Sequence, residues 1–211
     1  MLRPTSVSLA EDEPATAIGN VDVFLQTFKM PTIGVYLQGP TASYDVRRLR
    51  NNTLVVSGDL EAIPYDSVRD FLIHMASAHP LFGFACAEEE LEHRNRITTQ
   101  LGINTIESWV GRDTQKYLPG LYWWTLLPAS LAEQHGIPLS TIVGAALEHI
   151  ELEGQQHLLR FYEKPGDWQS AAVMAKLYPS LPGVFDVETL RPKLQGATTF
   201  LELNAILDAW S

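Results

Sequence analysis

The residues best suited to chemistry lie together near position 150. Glu148, His149, Glu151 and His157 combine two imidazoles with two carboxylates. Such a set can hold a transition metal or exchange protons near neutral pH. If the segment is a strand, His149 and Glu151 share a face, because side chains alternate along a strand. The spacing is not that of a helical zinc protease, and no His-Glu-x-x-His occurs. A solvated hairpin face accounts for the same four residues without chemistry. His74 and His79 flank a helix face, where a structural role suffices. Cys86 is the single cysteine, so an intrachain disulfide and a cysteine-based zinc site are both excluded. Its apolar neighbours mark it as a buried, inert thiol. The phosphate-cradling patterns Gly-x-x-x-x-Gly-Lys-Ser/Thr and Gly-x-Gly-x-x-Gly are missing, and so is Gly-x-Ser-x-Gly. The metal-nuclease arrangement, an Asp followed by Glu-x-Lys, is approached only by Glu163-Lys164, which lacks the spacer. No catalytic set, metal or cofactor is therefore expected, and the chain reads as a protein that works by binding.

The totals agree with that reading. With 211 residues, 45% hydrophobic and 19% charged, the chain can bury a full core. Its 25 acids against 15 bases give a net charge of −10. That disfavours nucleic acid and anionic membranes, which call for concentrated Lys and Arg, and suits a basic partner. No apolar run reaches the length of a membrane span, and the first residues do not resemble a secretion signal, so a cytoplasmic location is expected. Residues 1–20, with Pro4, Pro14 and Glu11-Asp12-Glu13, read as a flexible N-terminal arm. Residues 21–211 read as a single domain.

The element that must organise that domain runs from Tyr117 to Pro128. Tyr117, Tyr122, Trp123 and Trp124 concentrate ring area there, and each ring offers roughly 150–250 Å² for burial. Pro119-Gly120 marks a turn, the rings a short buried strand, and Pro128 the start of a helix stopped by Gly136. Each buried indole N–H also demands an acceptor. Before this segment, residues 21–29 and 33–38 predict a hairpin, and Thr53–Ser57 a buried strand. Arg47, Arg48 and Arg50 form the tightest basic cluster, read as a solvated loop. Val68, Phe71, Leu72 and Met75 share one face of a helix over 64–79, followed by a strand over 81–87. Residues 88–101 predict a second helix, acidic at its start and basic further on. Residues 102–120 predict a long irregular loop. After the aromatic segment come a helix from Pro138, strands over 147–153 and 157–162 joined around Gly154, a turn at Lys164–Asp167 and a helix over 170–178. Thr199-x-x-Glu202 then caps a final amphipathic helix. The sum is α+β, a mostly antiparallel sheet with helices packed on one side.

The stretch Tyr117-Leu-Pro-Gly-Leu-Tyr-Trp-Trp-Thr-Leu-Leu-Pro-Ala-Ser-Leu-Ala-Glu-Gln-His-Gly136 resembles a segment of bacterial immunity proteins encoded beside toxins of type VI secretion and other polymorphic toxin systems. The strand, helix and Gly-containing strand before it, and Phe161-Tyr-Glu-Lys-Pro165 after it, follow the same outline. The likeness covers about residues 30–168 and is greatest to the immunity protein 52 family, with related type VI immunity families as rivals. It implies an α+β fold, no enzyme activity, and neutralisation of one cognate toxin, often a nuclease of the restriction-endonuclease type; tight 1:1 binding is the expected mode. The family's aromatic positions fall on Tyr122, Trp123 and Trp124, with a structural role. The resemblance does not say which residues touch toxin. An acidic surface suits a nuclease's basic groove, so Glu88, Glu89, Glu90 and Glu92 are the first partner-binding candidates. Trp109, Arg112 and Asp113 of the long loop come next. Two other readings stay open: a metal-dependent enzyme built around His149, Glu151 and His157, and an adaptor that docks through its last helix.

Overall fold

The computed structural model describes residues 6–8, 32–38, 45–49, 53–59, 63–111, 113–170, 181 and 183–210, the first four segments as backbone. The strands are β1 (Ser6–Ser8), β2 (Thr32–Gln38), β3 (Asp45–Leu49), β4 (Thr53–Asp59), β5 (Phe82–Ala87), β6 (Arg96–Leu101), β7 (Asn104–Trp109), β8 (Trp124–Pro128), β9 (Glu148–Leu152) and β10 (Gln156–Arg160). The helices are α1 (Tyr65–Ala76), α2 (Glu88–Asn95), α3 (Ala129–Gln134), α4 (Leu139–Ala145), α5 (Val187–Gln195) and α6 (Phe200–Trp210).

Eight strands form one mixed sheet in the order β1-β3-β4-β2-β5-β8-β10-β9, and β6 and β7 pair separately. Five of the eight strand pairings are antiparallel, so the fold is α+β with a mostly antiparallel sheet, as expected. β2 lies between β4 and β5, parallel to both. It therefore cannot form the expected hairpin with residues 21–29, which lie outside the described residues. Ser6–Ser8, inside the expected loose arm, instead pairs with β3 at the sheet edge. Arg47 and Arg48 fall on β3 rather than in a loop, and Arg50 lies outside the described residues. Most of the helix expected over 170–178 also lies outside them.

Every residue of β5 and β8 is buried, so both faces of the sheet's centre are covered. α1 lays Val68, Phe71, Leu72 and Met75 against this region, the face its periodicity predicts. The aromatic segment joins two apolar clusters. Tyr122, Trp123 and Trp124 belong to the larger, with Phe82, Phe84, Leu126 and Leu158. Tyr117 belongs to the smaller, with Ile97, Val110, Phe185, Leu190, Leu203 and Leu207. Pro128 caps α3 and Gly136 follows it at φ +66°, the left-handed stop that glycine permits. The expectation that both buried indoles find acceptors fails. Trp123 Nε1 and Trp124 Nε1 have no hydrogen-bond partner among the described residues. Ring packing outweighs the polar loss here: Tyr65 meets Trp123 edge-on at 5.1 Å, and the Arg160 guanidinium lies 5.8 Å from the Trp124 ring centre.

The final helix starts as its sequence predicts. Glu202 N–H donates to Thr199 Oγ1 at 3.2 Å, and Thr199 N–H donates back to Glu202 Oε2 at 3.2 Å. Leu203 and Leu207 bury its apolar face in the smaller cluster. One glycine of that cluster's rim is indispensable. Gly111 has φ +74°, and a Cβ there would stand 2.2 Å from Phe185 Cδ1. Gly111→Ala should therefore cost about 2 kcal/mol or more through backbone strain and overpacking. A urea midpoint lowered at unchanged slope is the check, and an unchanged midpoint would show that Phe185 yields freely.

Candidate partner-binding surface

The acidic run at Glu88 follows β5 without a loop, and its helix is short. The predicted helix over 88–101 ends at Asn95, and the predicted loop over 102–120 begins with a strand. β-branched Ile97, Thr98 and Thr99 favour a pleated strand over a helix. The result is a two-stranded hairpin, β6–β7, with Arg96 opposite Trp109 at its base and Leu101 opposite Asn104 at its tip. Gly102, at φ +62°, opens the two-residue turn.

A buried polar network fixes the base of this arm. Asn95 and Val110 flank the hairpin. Val110 N–H donates to the Asn95 carbonyl at 2.8 Å, and Asn95 Nδ2 donates to the Val110 carbonyl at 3.0 Å. The Tyr122 hydroxyl donates to Asn95 Oδ1 at 2.7 Å, and the Tyr122 ring stacks on Phe84 at 4.2 Å. One turn earlier, Glu90 points into the protein and is 0% exposed. Its carboxylate accepts from Arg94 Nε at 2.9 Å and from the Tyr162 hydroxyl. Burial pushes the Glu90 pKa up to about 7, outweighing the attraction of Arg94 and the Tyr162 hydrogen bond. Burial and the Glu90 charge hold the Tyr162 hydroxyl well above its ordinary range. The same two causes raise the thiol of buried Cys86, which is chemically quiet as expected.

The structure divides the partner-binding candidates. Glu90 is removed from the set, because a carboxylate sealed in the core cannot meet a partner. Glu89 is exposed, while Glu88 and Glu92 are partly so. Glu92 is not a free charge. Arg96 pairs with Glu92 and reaches Glu107 at 2.8 Å, tying α2 to the hairpin. Trp109 lies on β7 rather than in a loop and is 39% exposed. Asp113 shapes a local turn: its Oδ1 accepts from Gln115 N–H at 3.0 Å, and its Oδ2 lies 3.6 Å from Lys116 Nζ. Arg112 lies outside the described residues. Tyr117, Tyr122, Trp123 and Trp124 are all buried, as a structural motif requires.

Comparison with protein-family models, curated proteins and solved structures gives no match. The likeness to immunity proteins therefore rests on the sequence pattern alone.

Ile103 at the hairpin tip went unnoticed in the sequence, yet it is 100% exposed. Its signal was the alternation of Ile97, Thr99 and Leu101 before a glycine. At the arm's base, the ion-paired Glu92 and Glu107 and Arg96 are charged and part-exposed or exposed. Ile103 at the tip and part-exposed Trp109 at the base are the large apolar side chains this hairpin leaves most open for contact with a partner. Among the described residues no helix is long and apolar enough to cross a membrane.

Proposed function

We propose that this chain is an immunity protein of a type VI or related polymorphic toxin system. It neutralises one cognate secreted toxin, by the resemblance a nuclease of the restriction-endonuclease type, through direct 1:1 binding in the cytoplasm and without catalysis. The observation that carries the binding reading is the β6–β7 arm, anchored by buried hydrogen bonds at its base and fully exposed at Ile103. Preorganisation of that kind lowers the ordering cost of association. The net charge of −10 suits the basic substrate groove of a nuclease and speeds encounter with it. An adaptor docking through its last helix would have only Phe200 and Leu201 to present, since Leu203 and Leu207 are buried within the chain itself.

Co-expression tests the proposal. Cells producing the product of the adjacent gene should die without this chain and survive with it. Equal killing in both cultures would reject neutralisation.

A further inference from the structure

The eight-stranded sheet ends at β9, and there two imidazoles touch. His149 Nε2 lies 3.0 Å from His157 Nδ1, with ring centres 5.2 Å apart and planes inclined by 30°. In the β9–β10 register Glu151 stands opposite His157, and His149 stands opposite Leu159. Strand alternation therefore puts His149, Glu151 and His157 on one face of the hairpin. His157 is buried, whereas His149 and Glu151 are exposed. The two facing nitrogens make a single hydrogen bond, which one of them must donate. A tetrahedral ion with bonds of 2.0–2.1 Å to imidazole would hold those nitrogens roughly 3.3 Å apart. Loss of the shared proton, a few tenths of an ångström of separation and a turn of the rings toward one point would make the pair a chelate.

We propose that His149 and His157 are the preformed half of a site for a divalent ion of the zinc, nickel or copper class, completed by Glu151 and water. Imidazole selects such ions over magnesium and calcium, which prefer all-oxygen shells. Among the described residues no three ligating side chains already surround one point. Glu151 therefore turns in from its exposed position when the ion arrives. A bound ion would join the edge strand β9 to β10 through their side chains as well as their backbones. This site is separate from the β6–β7 arm and does not depend on toxin neutralisation.

The test uses the metal-free full chain and zinc, with magnesium as control. Equilibrium dialysis should show the wild type binding one more zinc than His149→Ala, an exposed substitution that leaves the core intact. Saturating zinc should raise the wild-type Tm by about 5 °C or more, and leave that of His149→Ala unchanged. Glu151→Gln should weaken binding by about tenfold or more. Equal zinc uptake by wild type and His149→Ala would overturn the site. So would magnesium bound as tightly as zinc.

Discussion

On the proposed immunity function, replacing Ile103 with Asp should weaken binding to the toxin by about 30-fold or more, with little change in stability. The loss of binding follows from what sits at the tip of the β6–β7 hairpin. An apolar side chain wholly exposed in the free protein gains about 1.5–3 kcal/mol if docking buries it fully. A carboxylate in its place would have to be desolvated on docking. The folded chain gains nothing from Ile103, so its melting temperature should stay within the small range of neutral surface changes. Trp109→Ala should act in the same direction, by less, because part of the indole is already covered. Leu201 provides the comparison: it is 82% exposed on α6 and is not part of the β6–β7 hairpin, and Leu201→Asp should leave affinity unchanged. Calorimetric titration of the toxin with each variant makes the comparison. An Ile103→Asp protein that binds as tightly as the wild type would move the interface elsewhere.

The second large effect is on stability and comes from Glu90. Glu90→Ala removes the acceptor of the buried Tyr162 hydroxyl and one hydrogen-bond acceptor of Arg94. Leaving a buried hydrogen-bonding group without its partner costs about 1–3 kcal/mol, or roughly 2–12 °C in Tm for a chain of this size. Glu90→Gln keeps the volume and one acceptor and should cost much less. The carboxylate also sets a pH dependence of known sign. Its folded pKa of about 7 lies above the ordinary 4.5. Between those values the folded chain holds a proton that the unfolded chain has lost. Stability therefore falls as pH rises through that window and levels off above it, by an amount on the order of 3 kcal/mol. Glu90→Gln cannot titrate and should lack that component. Unfolding free energies in urea at pH 5 and pH 8 give the slope for each protein. Identical slopes would mean that Glu90 ionises in the fold as it does in water.

Where local pattern and tertiary packing agree, the sequence reveals the fold. Val68, Phe71, Leu72 and Met75 announce α1, and the Thr199–Glu202 pair announces the start of α6. Gly154 marks the β9–β10 turn at φ +71°. The α2–β6 boundary is hidden because two signals conflict. Glu88 to Arg96 carries the charge gradient of a helix, but the chain turns at Asn95, where Tyr122 and Val110 fix the backbone. Tyr122 is 27 positions away, so no local pattern could show it. The same distance problem conceals Glu90, whose partner Tyr162 lies 72 positions on. Read locally, Glu90 is one acid in an acidic helix; read in the fold, it is the sealed carboxylate that pins α2 to the end of β10. The parallel placement of β2 between β4 and β5 is likewise a matter of topology, which strand-like composition does not encode.

One titration tests the account most directly. The purified toxin, held at a fixed concentration well above the dissociation constant, is assayed for its own activity while this chain is added. Activity should fall linearly and vanish at one chain per toxin, and an equal amount of Ile103→Asp should leave much of it standing. Toxin that stays fully active in excess wild-type chain, or that loses activity only in proportion to time at trace amounts of chain, would contradict inhibition by stoichiometric binding.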